Sequence, residues 1–220
     1  MEARTGGAVF PVRPERMAWS QAASFAAKRA FDVCFSLLAL TVFSPLLAVI
    51  ALAVKLDSPG PVLFRQYRVG RNNRTFGMLK FRTMVDGADR QQAALAHLNE
   101  SEGGLFKIRD DPRVTRVGAF LRSTSLDELP QLLDVLRGSM SLVGPRPLVP
   151  EEDSLISGEY RRRLEVRPGM TGPWQVAGAT KIPLGAMAAL DLEYVTEHSL
   201  ALDALLIVRT VPHVLLRRGV

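Results

Sequence analysis

VCFSLLALTVFSPLLAVIALAV, residues 33–54, is an unbroken run of 22 residues without a charged side chain. As one continuous helix it would be roughly 33 Å long, enough to cross the hydrocarbon core of a bilayer. Pro45 interrupts the run near its middle, where it removes one helical donor and clashes with the preceding turn. Ser44 can satisfy the backbone carbonyl that this proline frees. The stretch therefore predicts a helix, a break at Ser44-Pro45 and a second helix, each half about 15 Å long, close to the depth of one leaflet.

Basic residues flank this segment on both sides. Lys28 and Arg29 precede it, and those that follow it are Lys55, Arg65, Arg68, Arg71 and Arg74. Positive residues favour the cytoplasmic side, so a re-entrant helix that dips in and returns fits them better than a helix that crosses. A kinked transmembrane helix is the alternative. We therefore expect a flexible N-terminal tail at residues 1–24, a re-entrant membrane helix at 25–56 and a cytosolic, membrane-associated domain at 57–220.

Positive charge is concentrated in the part of the chain that carries the apolar segment. The formal net charge is +6, and residues 1–82 hold 12 of the 28 Lys and Arg residues but 4 of the 22 Asp and Glu residues. Such a surface attracts nucleic acid or anionic lipid headgroups, but only lipid also explains the apolar segment. Aromatic residues do not interleave with the basic ones, which argues against nucleic acid. An anionic bilayer is therefore the expected partner.

Turn signals and apolar patterns outside the membrane segment predict an α+β fold that is mainly helical. Residues 62–67 and 75–81 read as two short strands around a polar turn, which predicts a β-hairpin. Asp111-Pro112 has the pattern of a helix start, with Asp111 as the cap and a helix running to about Arg122. Further short helices are expected at residues 86–104, before Gly138, at 183–196 and at 199–216. The last of these has an apolar face suited to a membrane surface.

Two adjacent acids, Asp127 and Glu128, lie between arginines and a stiff, proline-containing run. Acids bind phosphate poorly by themselves, so this position makes sense if a divalent metal lies between them and an anionic substrate. A helix start here would present the metal and a phosphate to the positive end of the helix dipole. The alternative is a capping box, because Ser125 and Glu128 have the spacing of that motif. The two roles can coexist.

Basic side chains around these acids are the candidate phosphate ligands. Arg146 lies in GPRP, residues 144–147, where each proline fixes its own φ and restricts the residue before it. A guanidinium held in this way suits a diphosphate, because it binds phosphate oxygens in pairs. Arg122 precedes the acids, and Lys80 and Arg82 follow the second strand, where they could enter the site or contact headgroups. A structural turn with a surface arginine is the alternative for Arg146.

Six motifs, taken in order, resemble the bacterial sugar transferase family. They are KRAFD at residues 28–32, the Ser44-Pro45 break, KFRTM at 80–84, SLDELPQ at 125–131, SLVGPRP at 141–147 and RPGMTG at 167–172. The resemblance covers residues 28–216. Members of this family are small monotopic polyprenyl-phosphate phosphoglycosyl transferases that start the synthesis of exopolysaccharide, capsule, O-antigen or glycoprotein glycans.

The resemblance implies that a sugar 1-phosphate moves from a UDP-sugar to undecaprenyl phosphate, with release of UMP and with Mg²⁺ as the cofactor. Asp127 would be the nucleophile, forming a phosphosugar-aspartyl intermediate, and would also be the metal ligand. Glu128 would position metal or phosphate. The substrate-binding cations would be Lys80, Arg82, Arg122 and Arg146. Residues 57–220 would then be the catalytic domain, on the cytoplasmic face of the bacterial inner membrane.

Two positions depart from the family pattern. Ser139 stands where an acid is frequent, and Ala179 stands where an arginine is common, so a nucleotide or phosphate contact in residues 171–181 is in question. The sequence leaves the sugar open among glucose, galactose and N-acetylated sugars. It is compatible with a homodimer. The alternative function is a non-catalytic, basic peripheral membrane adaptor, which explains the charge and the apolar segment but not the ordered motifs.

Overall fold

Residues 14–91, 93–99, 108, 110–177 and 183–215 are described by a computed structural model, and they are mainly helical with two small sheets. The first element is α1, Pro14–Asp57, a helix of 44 residues. It begins inside the predicted tail, because residues 14–24 are part of this helix. Pro14 suits the first position of a helix, because its missing N–H is not needed there. The rest of the tail prediction lies outside the described residues.

The helix continues through Pro45, so the two predicted halves form one helix and not a helix, a break and a helix. Ser44 Oγ donates a hydrogen bond of 2.8 Å to the carbonyl of Thr41. That carbonyl is the acceptor that Pro45 leaves without its helical donor, which confirms the role predicted for Ser44. A continuous helix is compatible with both a re-entrant and a crossing path. The re-entrant path therefore stays a prediction.

Over residues 23–57, whose side chains the structure describes, one stripe of α1 packs against the rest of the chain, and most of the other side chains are exposed or half-buried. Ala39 belongs to the main core, and Ile50 and Val54 join a second cluster around Leu121. By length and composition the 35-residue part Ala23–Asp57 could cross a membrane, and 17% of its most apolar window is buried. Its exposed apolar residues include Leu38, Val42, Val49, Leu52 and Leu56. Burial this low is not that of a core helix, and a contiguous apolar face of this kind is typical of contact with lipid.

A β-hairpin follows α1. Strand β1, Leu63–Val69, pairs antiparallel with β2, Thr75–Phe81, and a 3₁₀ turn at Arg71–Asn73 joins them. Asn72 and Asn73 have φ values of 55° and 60°, a left-handed conformation that asparagine adopts more readily than most residues. The hairpin is as predicted, with its first strand extended to Val69.

The stretch before the acids is less helical than the sequence predicts. In the described parts of residues 86–104 only two 3₁₀ turns occur, Ala88–Gln91 and Ala96–Leu98. Only Ala88 among these turn residues is buried, so no apolar face stabilises a longer helix. The prediction of a helix at residues 86–104 was therefore wrong in the described part of that range.

Two short helices enclose the acids. Helix α2, Arg116–Thr124, begins later than predicted, because Thr115 and not Asp111 is its cap, with Thr115 Oγ1 accepting from the Gly118 amide at 3.0 Å. Asp111 instead accepts from the guanidinium of Arg113, at 2.9 and 2.6 Å. Helix α3, Gln131–Arg137, ends at a glycine with φ of 84°, as predicted for position 138.

The described residues of the C-terminal part add a second two-stranded sheet and four helices. Strand β3, Ser141–Val143, pairs in parallel with β4, Gly169–Thr171. Helix α4, Pro150–Asp153, and the 3₁₀ segment Gly158–Glu165 lie in the connection between them. The last helices are α5, Pro173–Ala177, α6, Leu184–Glu197, and α7, Leu200–Leu215. The positions of α6 and α7 confirm the helices predicted at residues 183–196 and 199–216.

Polar contacts join the N-terminal part of α1 to this domain. The buried carboxylate of Asp32 accepts from Ser141 Oγ at 2.8 Å and from the next backbone amide at 3.1 Å. Arg29 donates to two carbonyls near the end of α3, at 2.6 and 2.9 Å. Lys28 pairs with Asp203 of α7 at 2.6 Å. Breaking such bonds leaves buried polar groups unsatisfied, so the apolar helix and the domain are held in one fixed arrangement.

Candidate active site

The two adjacent acids lie on a 3₁₀ turn, Leu126–Glu128, between α2 and α3. Ser125 ends α2 in the left-handed conformation, with φ of 56°, and its amide donates to the carbonyl of Arg122. Its side chain makes no capping bond, so the capping box considered as the alternative is not formed. Leu126 and Leu129 pack into the cluster beneath the turn and anchor it. The turn therefore presents the acids without using them as caps.

Lys80, near the end of β2, connects both acids. Its Nζ lies 2.6 Å from Glu128 Oε1 and 3.9 Å from Asp127 Oδ2. The Asp127 side chain is buried, with 7% of the residue exposed. The structure thus brings together three residues that the sequence predicts for the site, with the ion pair formed on Glu128.

The two carboxyl groups differ in their ionisation. Burial raises the pKa of Asp127 to about 6, although the charge of Lys80 acts in the opposite direction. Burial also opposes ionisation of Glu128, but the charges of Lys80 and Arg146 outweigh it, so the pKa of Glu128 lies below its ordinary value. Neighbouring acids that interact strongly titrate as a pair. Near neutral pH the site therefore holds one firmly paired carboxylate and one carboxylate that desolvation destabilises.

The predicted arginines of the site act on different acids. Arg122 favours the ionised form of Asp127 and so lowers its pKa, whereas Arg146 does the same for Glu128. The guanidinium of Arg146 lies over the ring of Trp174, 4.7 Å from its centre. A cation over an aromatic face is attracted by the ring quadrupole, so this contact helps to hold Arg146, which has no carboxylate within ion-pair distance among the described residues. Both arginines therefore lie near the acids, and their binding of substrate stays a prediction.

Arg82 lies outside this group, contrary to the prediction that it binds substrate. Its buried guanidinium donates to the carbonyl of Pro59 and to those of Ser58 and Val54, at 2.7 and 3.3 Å. The last carbonyls of a helix have no helical donors, and Arg82 supplies donors to the end of α1 and the turn after it. It is therefore a structural residue that joins the hairpin to α1.

Arg68, which the sequence analysis did not select, lies within reach of the site. Its Nε and Nη2 donate to Gln66 Oε1 at 3.1 and 2.6 Å, and its Nη1 donates to the carbonyl of Pro147 at 3.3 Å. Burial, followed by the nearby charge of Arg146, lowers the pKa of Arg68 to about 10. Two polar residues at alternate positions of a short strand share one face, and this spacing is the signal that could have indicated it.

A buried ion cluster supports the loop that carries Arg146. Arg163, 1% exposed, donates to Asp153 Oδ1 at 3.1 Å and to Asp191 Oδ2 at 3.0 Å. It also donates to the backbone carbonyl of Arg146. Burial raises the pKa of Asp191 to about 6 even though Arg163 opposes this. The cluster fixes the backbone from which the Arg146 side chain projects.

Comparison with known proteins identifies the family. The profile described as "Bacterial sugar transferase" matches residues 23–217. The chain belongs to this sugar transferase family. It is therefore an enzyme, a phosphoglycosyl transferase, and the alternative of a non-catalytic adaptor is wrong. The family and the exposed apolar helix together indicate that this transferase associates with a membrane.

The transferase is similar to several curated bacterial proteins. It is 42% identical over 196 residues to "Exopolysaccharide production protein ExoY" of Sinorhizobium fredii, a match that covers 87% of each chain. It is 45% identical over 199 residues to "UDP-glucose:undecaprenyl-phosphate glucose-1-phosphate transferase" of Caulobacter vibrioides, covering 86% of this chain and 69% of that one. It is 43% identical over 203 residues to "Undecaprenyl-phosphate glucose phosphotransferase" of Komagataeibacter xylinus, covering 87% of this chain and 36% of that one.

The carboxylates of Asp127 and Glu128 suit Mg²⁺ as part of a site that water and substrate complete. Asp127 and Glu128 offer the hard carboxylate oxygens that Mg²⁺ prefers, and among the described residues no group of three or more His, Cys, Asp or Glu could enclose an ion. Mg²⁺ commonly binds one or two carboxylates and completes its shell with water and substrate phosphates. Such a site forms with the substrate and does not need a complete protein cage.

The two departures from the family pattern have different outcomes. Ser139 Oγ donates to the carbonyl of Asp134 at 3.1 Å, so it satisfies a backbone acceptor at the end of α3. Ala179 lies in residues 178–182, outside the described part of the chain. Whether a nucleotide or phosphate contact is lost at Ala179 therefore stays a prediction.

Proposed function

We propose that this transferase moves a sugar 1-phosphate from a UDP-sugar to undecaprenyl phosphate and releases UMP. The observation that carries the proposal is a buried Asp127 beside a Glu128 already neutralised by Lys80, with Arg122 and Arg146 close by. The Asp127 carboxylate lies 3.9 Å from Lys80, farther than Glu128 does, and a carboxylate among cations suits attack on a phosphorus atom that bears negative oxygens. The names of the Caulobacter and Komagataeibacter relatives support undecaprenyl phosphate as the acceptor.

In the first step a carboxylate oxygen of Asp127 attacks the sugar-bearing phosphorus of the UDP-sugar. A carboxylate–phosphorus bond forms, the bond to the bridging oxygen breaks, and UMP leaves with that bond's electron pair. Burial raises the pKa of Asp127 to about 6, which still leaves it ionised at neutral pH. A carboxylate with few water contacts is also more reactive than a hydrated one.

In the second step a phosphate oxygen of undecaprenyl phosphate attacks the same phosphorus. The bond to Asp127 breaks, the carboxylate is restored, and the product is undecaprenyl diphosphate carrying the sugar. The two-step route lets UMP leave before the second anionic substrate arrives, so the two phosphates never meet in one encounter. Arg122 and Arg146 neutralise the charge that spreads over the phosphoryl oxygens in both steps.

A bound Mg²⁺ would neutralise charge on the diphosphate of the donor, and Asp127 with Glu128 would hold it. Lys80 keeps Glu128 ionised through their 2.6 Å contact, so that this acid is ready to accept a cation. The proposal includes Mg²⁺ as the cofactor on these grounds.

A UMP-release assay tests the proposed function directly. Purified enzyme in lipid, with Mg²⁺ and undecaprenyl phosphate, is given UDP-glucose, UDP-galactose and their N-acetylated counterparts in turn. At least one donor should yield UMP and a lipid-linked sugar in equal amounts. Release of UDP instead of UMP, or no product from any donor, would contradict the proposal.

The pH dependence of activity should follow the ionisation of Asp127. Because the reactive form is deprotonated, kcat/KM should fall about tenfold per pH unit below about pH 6. Lys80 lowers the pKa of Asp127, so Lys80→Met should move this acid limb to higher pH besides lowering the rate. Lys55→Met, at an exposed lysine at the end of α1, is the matched control and should leave the limb in place. An unmoved limb in Lys80→Met would exclude this coupling.

The proposed topology is a re-entrant α1 that keeps both ends of the chain on the cytoplasmic face of the inner membrane. Basic residues on both sides of the apolar segment support it. Single cysteines at positions 5 and 218, in a Cys34→Ser background, should both resist an impermeant maleimide in intact spheroplasts and react after lysis. Labelling of one position alone in intact cells would establish a crossing helix instead.

A further inference from the structure

Two positively charged guanidinium groups lie close together in the active site. Arg68 reaches the GPRP loop by donating from Nη1 to the Pro147 carbonyl at 3.3 Å, which places it beside Arg146. Burial is the main cause of the lowered pKa of Arg68, and the positive charge of Arg146 is the second. Bringing two like charges together out of water is unfavourable, so this arrangement requires an explanation.

Both guanidinium groups are held chiefly by neutral partners. Gln66 Oε1 accepts two hydrogen bonds from Arg68, at 3.1 and 2.6 Å, and fixes the plane of its guanidinium. Glu152 Oε2 lies 3.7 Å from Arg68 Nη1, beyond hydrogen-bond distance. Arg146 lies over the ring of Trp174. The charges of Glu152, Glu128 and Glu151 also act on Arg68, but none of these carboxylates accepts a hydrogen bond from it in the described part of the chain. The guanidinium of Arg68 therefore still has donors for an anionic ligand.

Arg163 shows how this chain buries an arginine for structure alone. Its guanidinium lies between two carboxylates, Asp153 and Asp191, at 3.1 and 3.0 Å. Such pairing is the usual requirement for a buried charge. Arg68 does not lie between two hydrogen-bonded carboxylates. Its bonds to Gln66 fix its guanidinium, and because 12% of its side chain is exposed, an anion can reach it.

We propose that Arg68, together with Arg146, binds the nucleotide-side phosphate of the donor, the phosphate that leaves in UMP. This inference rests on the proposed function and adds a substrate ligand to it. Arg68 donates to the loop that carries Arg146, and among the described residues neither guanidinium forms an ion pair with the nucleophile Asp127, whose carboxylate lies 3.9 Å from Lys80. The pair is therefore assigned to the phosphate that Asp127 does not attack. A planar guanidinium binds two phosphate oxygens at once, and Gln66 presets that plane.

Inhibition by UMP and by uridine separates a phosphate contact from a general structural effect. In the wild type, UMP should inhibit UDP-sugar turnover much better than uridine does. Arg68→Gln should weaken UMP inhibition roughly tenfold or more and leave uridine inhibition unchanged. Arg65→Gln, which removes an exposed arginine from the same strand, is the matched control and should keep the wild-type ratio. An unchanged ratio in Arg68→Gln would overturn the assignment.

Two further variants keep the test decisive if Arg68→Gln fails to fold. Arg68→Lys keeps the charge but not the planar fork, and Gln66→Leu keeps Arg68 but removes the acceptor that orients it. Both should weaken UMP inhibition by several-fold without changing inhibition by uridine, and wild-type behaviour in both would overturn the proposal. Turnover by the wild type is measured separately. If no donor yields UMP, the proposed function itself is rejected. If UMP is released normally but the ratio of UMP to uridine inhibition is unchanged in the variants, only the role of Arg68 is rejected.

Discussion

Asp127→Asn will lower UMP release and lipid-linked sugar formation by at least about 10³-fold. An amide has no carboxylate oxygen with which to form the acyl-phosphate bond, so neither step can proceed through it. Both products are measured with the donor found in the UDP-sugar panel. Asp89→Asn, at an exposed aspartate outside the site, is the matched control and should retain wild-type turnover. Full turnover by Asp127→Asn would remove Asp127 from the role of nucleophile.

The same variant should be at least as stable as the wild type at pH 7.5. The pKa of Asp127 is raised to about 6 in the folded protein, above its ordinary value, so the folded state loses stability as pH rises through about 6. Asparagine removes this loss, which amounts to about 1–3 kcal/mol before screening is considered. Denaturant midpoints of the variant and the wild type at pH 7.5 and pH 4.5 test this prediction. The extra stability of Asp127→Asn over the wild type should be smaller at pH 4.5. Loss of activity together with loss of stability would indicate a folding defect.

Arg163→Leu will destabilise the folded chain by about 3–5 kcal/mol. It leaves Asp191 buried without the guanidinium that opposes its raised pKa and takes one partner from Asp153. It also removes the donor to the carbonyl of Arg146, so activity should fall even in the fraction that folds. Denaturant unfolding in detergent or nanodiscs measures the first effect, and turnover per folded enzyme measures the second.

The neighbouring Arg162→Leu is the matched control for this substitution. Arg162 pairs with Glu165 at 3.0 Å, but 52% of its side chain is exposed, so the change should cost less than about 1 kcal/mol. Equal effects of the two substitutions would show that the buried ion cluster does not support the fold.

Local chemistry explains which parts of the fold could be predicted. The hairpin has short strands on either side of a polar turn, and α3 ends at a glycine whose φ of 84° few other residues adopt readily. The hydroxyl of Ser44 binds the carbonyl freed by the next residue, an interaction complete within one helical turn. Each of these features depends on residues close together in sequence, and each was predicted.

Features that depend on distant partners were not predictable in the same way. Arg82 and Lys80 are separated by one residue, yet Lys80 enters the site and Arg82 caps the end of α1. Asp111 has the pattern of a helix cap but is used by Arg113, while Thr115 caps α2. Arg68 looks like one more basic residue of the hairpin until its contacts with Gln66 and the GPRP loop are seen. Residue type and spacing do not distinguish these outcomes, because packing determines them.

The candidate site was predicted better than its surroundings. The ordered motifs led us to expect that Lys80, Arg122 and Arg146 lie near Asp127 and Glu128, and the structure places them there. The asymmetry between the acids does not, because it comes from burial of Asp127 and from the 2.6 Å contact of Lys80 with Glu128. Whether α1 re-enters or crosses the membrane is a separate question, because it depends on the bilayer and not on contacts within the chain.

A single-turnover experiment without undecaprenyl phosphate tests the central claim most directly. Enzyme in excess over UDP-sugar should release UMP in a burst of no more than one equivalent per enzyme, and the peptide that contains Asp127 should gain the mass of the sugar phosphate. Addition of undecaprenyl phosphate should then remove that mass and yield the lipid-linked sugar. If UMP appears only after undecaprenyl phosphate is added, and no modified peptide is found, the two substrates react directly and the aspartyl intermediate is excluded.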